Sequence, residues 1–224
     1  VVDHQRQTFL WGGACSLYDR GARTRKLPDR APDPFREREA LIQRILEDCA
    51  PRSGRPRVAL TDEFVLKGLF PFFATYLHRL GMDLVFVGHG DPAALRLGIQ
   101  EVNVPFCAPM QLFHGVARQL VDTQADWVFL PMLRSMARVG GEPLAKTCPI
   151  VQASPDMLRW TLDLGSRPRL LSPVIDIGVG NLESKAFQDG CRQLAADLGL
   201  AGTRWRRAWT EALAAQGEFE SRCD

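Results

Sequence analysis

RVALTDEFVLKGLFPFFATYLHRLGMDLVFVGHG, residues 57–90, reads as a strand, a helix and a second strand. Val58-Ala59-Leu60 is a short unbroken apolar run after a proline, the pattern of a strand buried on both faces. Leu69, Phe70, Phe72, Phe73, Tyr76, Leu77 and Leu80 recur as the wide apolar face of a helix, and Gly81 ends it. Leu84-Val85-Phe86-Val87 is the next strand, closed by Gly88-His89-Gly90. This β-α-β unit has the length needed to cross right-handedly onto a parallel sheet, about 30 residues.

The same alternation continues outward. Asp91-Pro92 places a capping carboxylate before a first-turn proline and starts a helix to about Ile99. Met110, Phe113, Val116, Ala117, Leu120 and Val121 mark another helix, and Trp127-Val128-Phe129-Leu130 a third strand stopped by Pro131. A Gly- and Pro-rich loop is expected from Arg134 to Pro149, then a helix started by Ser154-Pro155 and running through Leu164. Leu170-Leu171 and Val174–Ile177 are extended segments interrupted by Pro173, and two amphipathic helices, 181–198 and 203–216, follow. On the other side, Pro34 opens a helix over 35–48, and residues 1–34 are irregular apart from Thr8-Phe9-Leu10-Trp11, a short strand leading into Gly12-Gly13. The expected class is α/β: an open, mostly parallel sheet flanked by helices in Rossmann-like or flavodoxin-like layers, with a small helical annex. The expected divisions are 1–55, an irregular segment plus helix; 56–180, the α/β core; and 181–224, the C-terminal helices.

The chain has 224 residues, 46% hydrophobic and 24% charged, with a formal net charge of +2, so neither a nucleic-acid nor a membrane partner is expected. It begins Val1-Val2, with no charged leader before an apolar run, and is expected to be a fragment of a longer cytoplasmic protein. Six cysteines stand at 15, 49, 107, 148, 191 and 223. In such a chain they point to metal, catalysis or burial rather than a disulfide framework. Cys191 is expected in the core, Cys49 at a helix end and Cys223 in a frayed tail; His4 and His78 are expected to be exposed.

Several cysteine-bearing segments are more specific. Phe106-Cys107-Ala108-Pro109, followed by Gln111-Leu112-Phe113-His114-Gly115, and Thr147-Cys148-Pro149-Ile150-Val151-Gln152 both lead into helices. With Phe9–Cys15, Phe35–Glu39 and Ala125–Pro131, they occur in an order that resembles the uncharacterised, dehydratase-like domain of the 2-hydroxyacyl-CoA dehydratase activase (CoA enzyme activase) family. The resemblance implies an iron–sulfur protein, of [4Fe-4S] type, taking part in low-potential electron transfer. Its implied partner is an activase-type ATPase, fused or separate, and its candidate substrate an acyl-CoA. No phosphate-binding Gly-x-x-x-x-Gly-Lys-Ser/Thr loop makes this chain the ATPase itself.

Thiolates are the usual ligands of such clusters. Cys15, Cys107 and Cys148 are the expected cofactor and metal ligands, converging from separate loops at the carboxyl ends of the strands. His114 is the candidate catalytic residue, as proton donor or as hydrogen-bond partner of a cluster sulfur. Spacing alone is weak, because there is no Cys-x-x-Cys pair. His89 could line the crevice, and Asp62, Glu63, Asp126 and Asp176 lie near strand ends without naming an acid and a base. Two other readings stay open: a docking or regulatory domain for an activase ATPase, and an acyl-CoA or small-molecule binding module without redox chemistry.

Overall fold

The computed structural model describes residues 32–88, 90–102, 106–162, 164, 168–200 and 202–223. Cys15 and His89, and the strand and turn expected over Thr8–Gly13, lie outside the described residues. From Pro34 onward the chain packs as one unit. Its elements are α1 (Pro34–Asp48), β1 (Arg57–Leu60), α2 (Phe70–Leu80), β2 (Asp83–Phe86), α3 (Pro92–Glu101), α4 (Ala108–Asp122), β3 (Trp127–Phe129), β4 (Met132–Ser135), α5 (Pro149–Thr161), β5 (Arg169–Leu171), β6 (Val174–Asp176), α6 (Lys185–Asp197) and α7 (Arg204–Cys223).

The central sheet is parallel throughout, in the order β2-β1-β3-β5. Alternate residues of each strand enter different cores. Val58, Leu60, Phe129 and Leu171 face α1, α2, α6 and α7, whereas Ala59, Val128 and Leu130 face α4 and α5. Both faces are therefore covered, which explains strands that read as unbroken apolar runs. The first core is dominated by rings: Phe72 against Phe187 at 4.8 Å, Phe73 against Phe129 at 5.0 Å, and Tyr76, fully buried, donating to the Cys191 carbonyl at 2.7 Å. The helix over 34–48 and the two C-terminal helices join this layer.

Three boundaries differ from the sequence reading. β3 ends at Phe129, before Pro131 as expected, but the chain becomes extended again just after the proline as β4. Leu130 and Met132 donate to Leu171 and Pro173, so Pro131 occupies the position whose missing N–H would face β1, which has already ended at Leu60. The parallel pair β4–β6 forms a separate two-stranded sheet; β6 falls in a segment expected to be extended, and Arg134 and Ser135 of β4 fall in the segment expected to be loop. Second, α5 starts at Pro149 rather than at Ser154, and Pro155 lies within it. A proline there leaves the Val151 carbonyl without its helical donor, and the Ser154 hydroxyl donates to that same oxygen at 2.8 Å. Likewise α7 runs to Cys223, so the tail expected to fray is helical.

Other local rules hold. Gly81 ends α2 at φ 103, and Asp91 accepts from Ala94 N at 2.7 Å as the cap of α3. The cap of α2 comes from far away. Gln216 on α7, 1% exposed, accepts from the first-turn amide of Phe72 at 3.1 Å and donates to the Gly68 carbonyl at 2.7 Å. Helix termini leave such amides without intrahelical partners, and here a side chain 144 residues away serves one.

Candidate functional site

After β1 the chain moves out to β2 and then returns to the opposite side of β1 as β3. Ligand crevices of open parallel sheets lie outside the carboxyl ends of the strands at such a reversal. The segment leaving β1 is Thr61-Asp62-Glu63, with Thr61 and Asp62 buried, followed by a 3-10 turn at Phe64–Leu66. Phe64 is held at φ 56, a left-handed conformation that an aromatic residue seldom takes. Its ring stacks on Phe113 of α4 at 4.8 Å.

The two acids clamp neighbouring segments. Asp62 accepts from Arg38 of α1 at 2.9 Å, and Arg38 also donates to the Lys67 carbonyl at 2.6 Å, tying α1 to the segment after β1. Glu63 accepts from Gly90 N at 2.9 Å and pairs with Lys67 at 3.2 Å, joining the β1 and β2 loops. A Cβ on Gly88 would come within 2.3 Å of the tip of the Phe86 ring, which would have to shift to admit it. These contacts assign Asp62 and Glu63 a positioning role. The sequence placed both at a strand end but offered no sign of Arg38, which is 24 residues away.

Because α4 leads into β3 and α5 into β5, both helices begin at the carboxyl end of the sheet. Cys107, with extended backbone, is the N-cap of α4 and Cys148 the N-cap of α5, and both are exposed. Neither side chain caps its helix by a hydrogen bond; Pro109 and Pro149 carry no amide N–H, and the Met110, Gln111 and Gln152 amides donate to the Cys107 and Cys148 carbonyls. The helices pack side by side on one face of the sheet, through Phe113 and Leu120 of α4 and Leu158 of α5 in a shared core. The other described cysteines differ. Cys49 is buried, and burial pushes its thiol up to about 11; Cys191 is fully buried, and burial raises it further still. Cys223 is exposed in the last turn of α7. Cys107 and Cys148 are thus the exposed thiols at the starts of the helices on the α4–α5 face among the described residues. No group of three or more His, Cys, Asp or Glu among the described residues is arranged to hold a metal.

His114, two turns into α4, is fully buried under Phe106, the rings stacked 5.7 Å apart. Its Nδ1 lies 2.9 Å from the Met110 carbonyl and must donate to it, which leaves Nε2 as an acceptor in the neutral ring, buried and without a partner. Burial lowers its pKa, opposed by the Met110 bond and the charge of Glu101. As it stands the ring is a base or an acceptor; donating from Nε2 requires a proton that burial opposes. The Gly115 beside it is structural, as it sits against the α3 backbone.

His78, expected to be exposed, is 4% exposed at the end of α2, and burial, then Arg55, lowers its pKa as well. An unfolded histidine titrates near 6.5. The unfolded chain therefore takes up protons below that pH that the folded one refuses, and stability falls as pH drops from 7 toward 5. Urea unfolding at pH 7 and 5.5 measures this. His114→Leu is expected to flatten the slope, whereas an unchanged slope would contradict the neutral buried ring.

No helix among the described residues is long and apolar enough to cross a membrane. A family model described as the CoA enzyme activase uncharacterised domain matches residues 57–224, from the first residue of β1 to the end of the chain. No curated protein and no solved structure matches the chain.

Proposed function

Because the chain belongs to the family of the CoA enzyme activase uncharacterised domain, we propose that it is the dehydratase-like, iron–sulfur component of an activase-type reductive system, with Cys107 and Cys148 as cluster ligands. The observation that supports this reading is the pairing of two exposed thiols as N-caps of adjacent helices at one end of a parallel sheet. The donor set fits the group: thiolates suit iron, and a nearby helix amino end favours the negative charge of thiolate and sulfide. The buried thiols of Cys49 and Cys191, held protonated, do not fit it.

When bound, the cluster supplies one-electron chemistry at low potential. The chain's own residues do the rest. The positive amino ends of α4 and α5 favour negative charge at the two thiols, Phe106 screens His114 from water, and Asp62–Arg38 with Glu63–Gly90 tie α1 and the loop after β2 to the segment leaving β1. The reductant would be an ATP-hydrolysing activase, and an acyl-CoA the substrate class.

Anaerobic reconstitution with iron and sulfide tests the proposal. Stoichiometric iron and visible charge-transfer absorbance are expected, lost in the Cys107→Ser/Cys148→Ser double variant and kept in Cys223→Ser. A colourless, iron-free wild-type protein, or full iron retention in the double variant, would overturn it. In that case the docking-domain reading, which needs neither thiol, would take its place.

A further inference from the structure

The opposite end of the sheet carries a cavity of about 240 Å³ that the proposed function does not use. It is lined by Arg52 and Arg55 from the α1–β1 loop, His78 and Arg79 from the last turn of α2, and Arg204 and Arg207 from the first turn of α7. Glu211 is the one carboxylate in its lining, and it already pairs with both Arg79 at 2.8 Å and Arg207 at 2.9 Å. Arg52, Arg55 and Arg204 make no ion pair among the described residues. The cavity thus gathers five guanidiniums and one carboxylate, an arrangement whose self-repulsion an anion would relieve.

Two further observations point to a ligand. His78 is 4% exposed with its Nδ1 unpartnered, and the buried Arg55 Nη1 also lacks an acceptor. Buried polar groups are nearly always satisfied, so an orphan nitrogen on each of two residues lining one cavity points to a missing partner. In addition, α7 opens Arg204-Trp205-Arg206-Arg207 with no acid in its first turn. Positive charge there opposes the helix dipole, and a bound anion reverses that penalty.

We propose that this cavity binds the phosphate group of a small phosphorylated molecule, with Arg52, Arg55 and Arg204 as the free guanidiniums and His78 as a further donor. A phosphate presents more oxygens than a carboxylate and so serves several guanidinium forks at once. The groups facing His78 are Arg52 and Arg55 from the loop, Arg79 beside it on α2, Asp83 at the start of β2, and Arg204, Arg207 and Glu211 on α7. Burial, and after it Arg55, Arg79 and Arg52, keep the ring neutral when the site is empty. Phosphate binding offsets their charge, so it is coupled to proton uptake by His78.

The site lies at the amino ends of the strands, away from Cys107 and Cys148, so its test is independent of cluster binding. The full chain is titrated with inorganic phosphate, pyrophosphate and acetate, with sodium chloride at matched ionic strength. Unfolding temperature and the His78 ring resonances are followed, the latter assigned with His78→Gln. Phosphate and pyrophosphate are expected to raise the unfolding temperature beyond chloride and acetate and to move the His78 titration midpoint upward. Arg204→Gln, exposed and safe for folding, is expected to weaken binding by about tenfold, the loss of one charge-assisted hydrogen bond; Arg55→Gln/Arg204→Gln is expected to abolish it. Equal rises in chloride and phosphate, or a phosphate response that survives Arg204→Gln at full strength with His78 unmoved, would overturn the proposal.

Discussion

Gly98→Ala and Gly115→Ala are each expected to destabilise the protein by about 3 kcal/mol, at the upper end of overpacking costs. A Cβ on Gly98 would stand 1.7 Å from the Gln111 carbonyl oxygen, and one on Gly115 would stand 1.8 Å from the Ala94 carbonyl oxygen. Both obstacles are backbone, and both belong to regular helices, so neither can rotate away as a side chain would. The only relief is to push α3 and α4 apart, which withdraws Met110 and Phe113 from the core they share with Ala59 and Val128. Alanine's better helix propensity returns roughly 1 kcal/mol and does not offset this. Gly217 is the internal control. It lies within α7 with nothing near its missing Cβ, so Gly217→Ala should stabilise by about 0.5–1 kcal/mol. Urea unfolding measures all three, read as midpoint shifts at constant slope. A Gly98→Ala variant within error of wild type would mean that the helices do not meet backbone to backbone.

Arg38→Ala is expected to cost about 3–5 kcal/mol, the penalty for stripping one partner from a buried ion pair. Asp62 is 1% exposed, and Arg38 Nη1 donates to it at 2.9 Å. The same guanidinium donates to the Lys67 carbonyl and to Glu39, and lies 6.0 Å from the centre of the Phe219 ring. Its loss leaves a carboxylate in the interior and releases α1 from the rim of the crevice. Asp62→Asn in the Arg38→Ala background should recover part of the loss, because an amide is cheaper to bury than an unpaired charge. A double-mutant cycle over the four proteins isolates the pair. Independent, additive effects would show that the pair does not hold the site.

His114 and Gly115 illustrate where sequence reading reached and where it stopped. Their adjacency on a helix after Cys107 was legible, and it suggested chemistry. Gly115 instead answers to Ala94, 21 positions earlier, where two helices touch through their backbones. The same holds for His78, whose place at a helix end suggested exposure until α7 came to lie over it. Pro155 misled the start of α5, since the hydrogen bond it cannot make is compensated locally by the Ser154 hydroxyl.

What the sequence determined by itself is whatever depends on near neighbours. The apolar runs at 58–60 and 84–87, the helical stripe between them, the left-handed Gly81 and the Asp91 cap all follow from side-chain period and backbone sterics over a few residues, and these suffice to specify a parallel α/β layer. Tertiary structure alone decided which distant groups share a buried space. Arg38 meets Asp62, Gln216 caps α2, and arginines from a loop and two helices gather around His78. Desolvation turns each of those meetings into an interaction, and a charge or an amide acquires its partner only when folding removes the water between them.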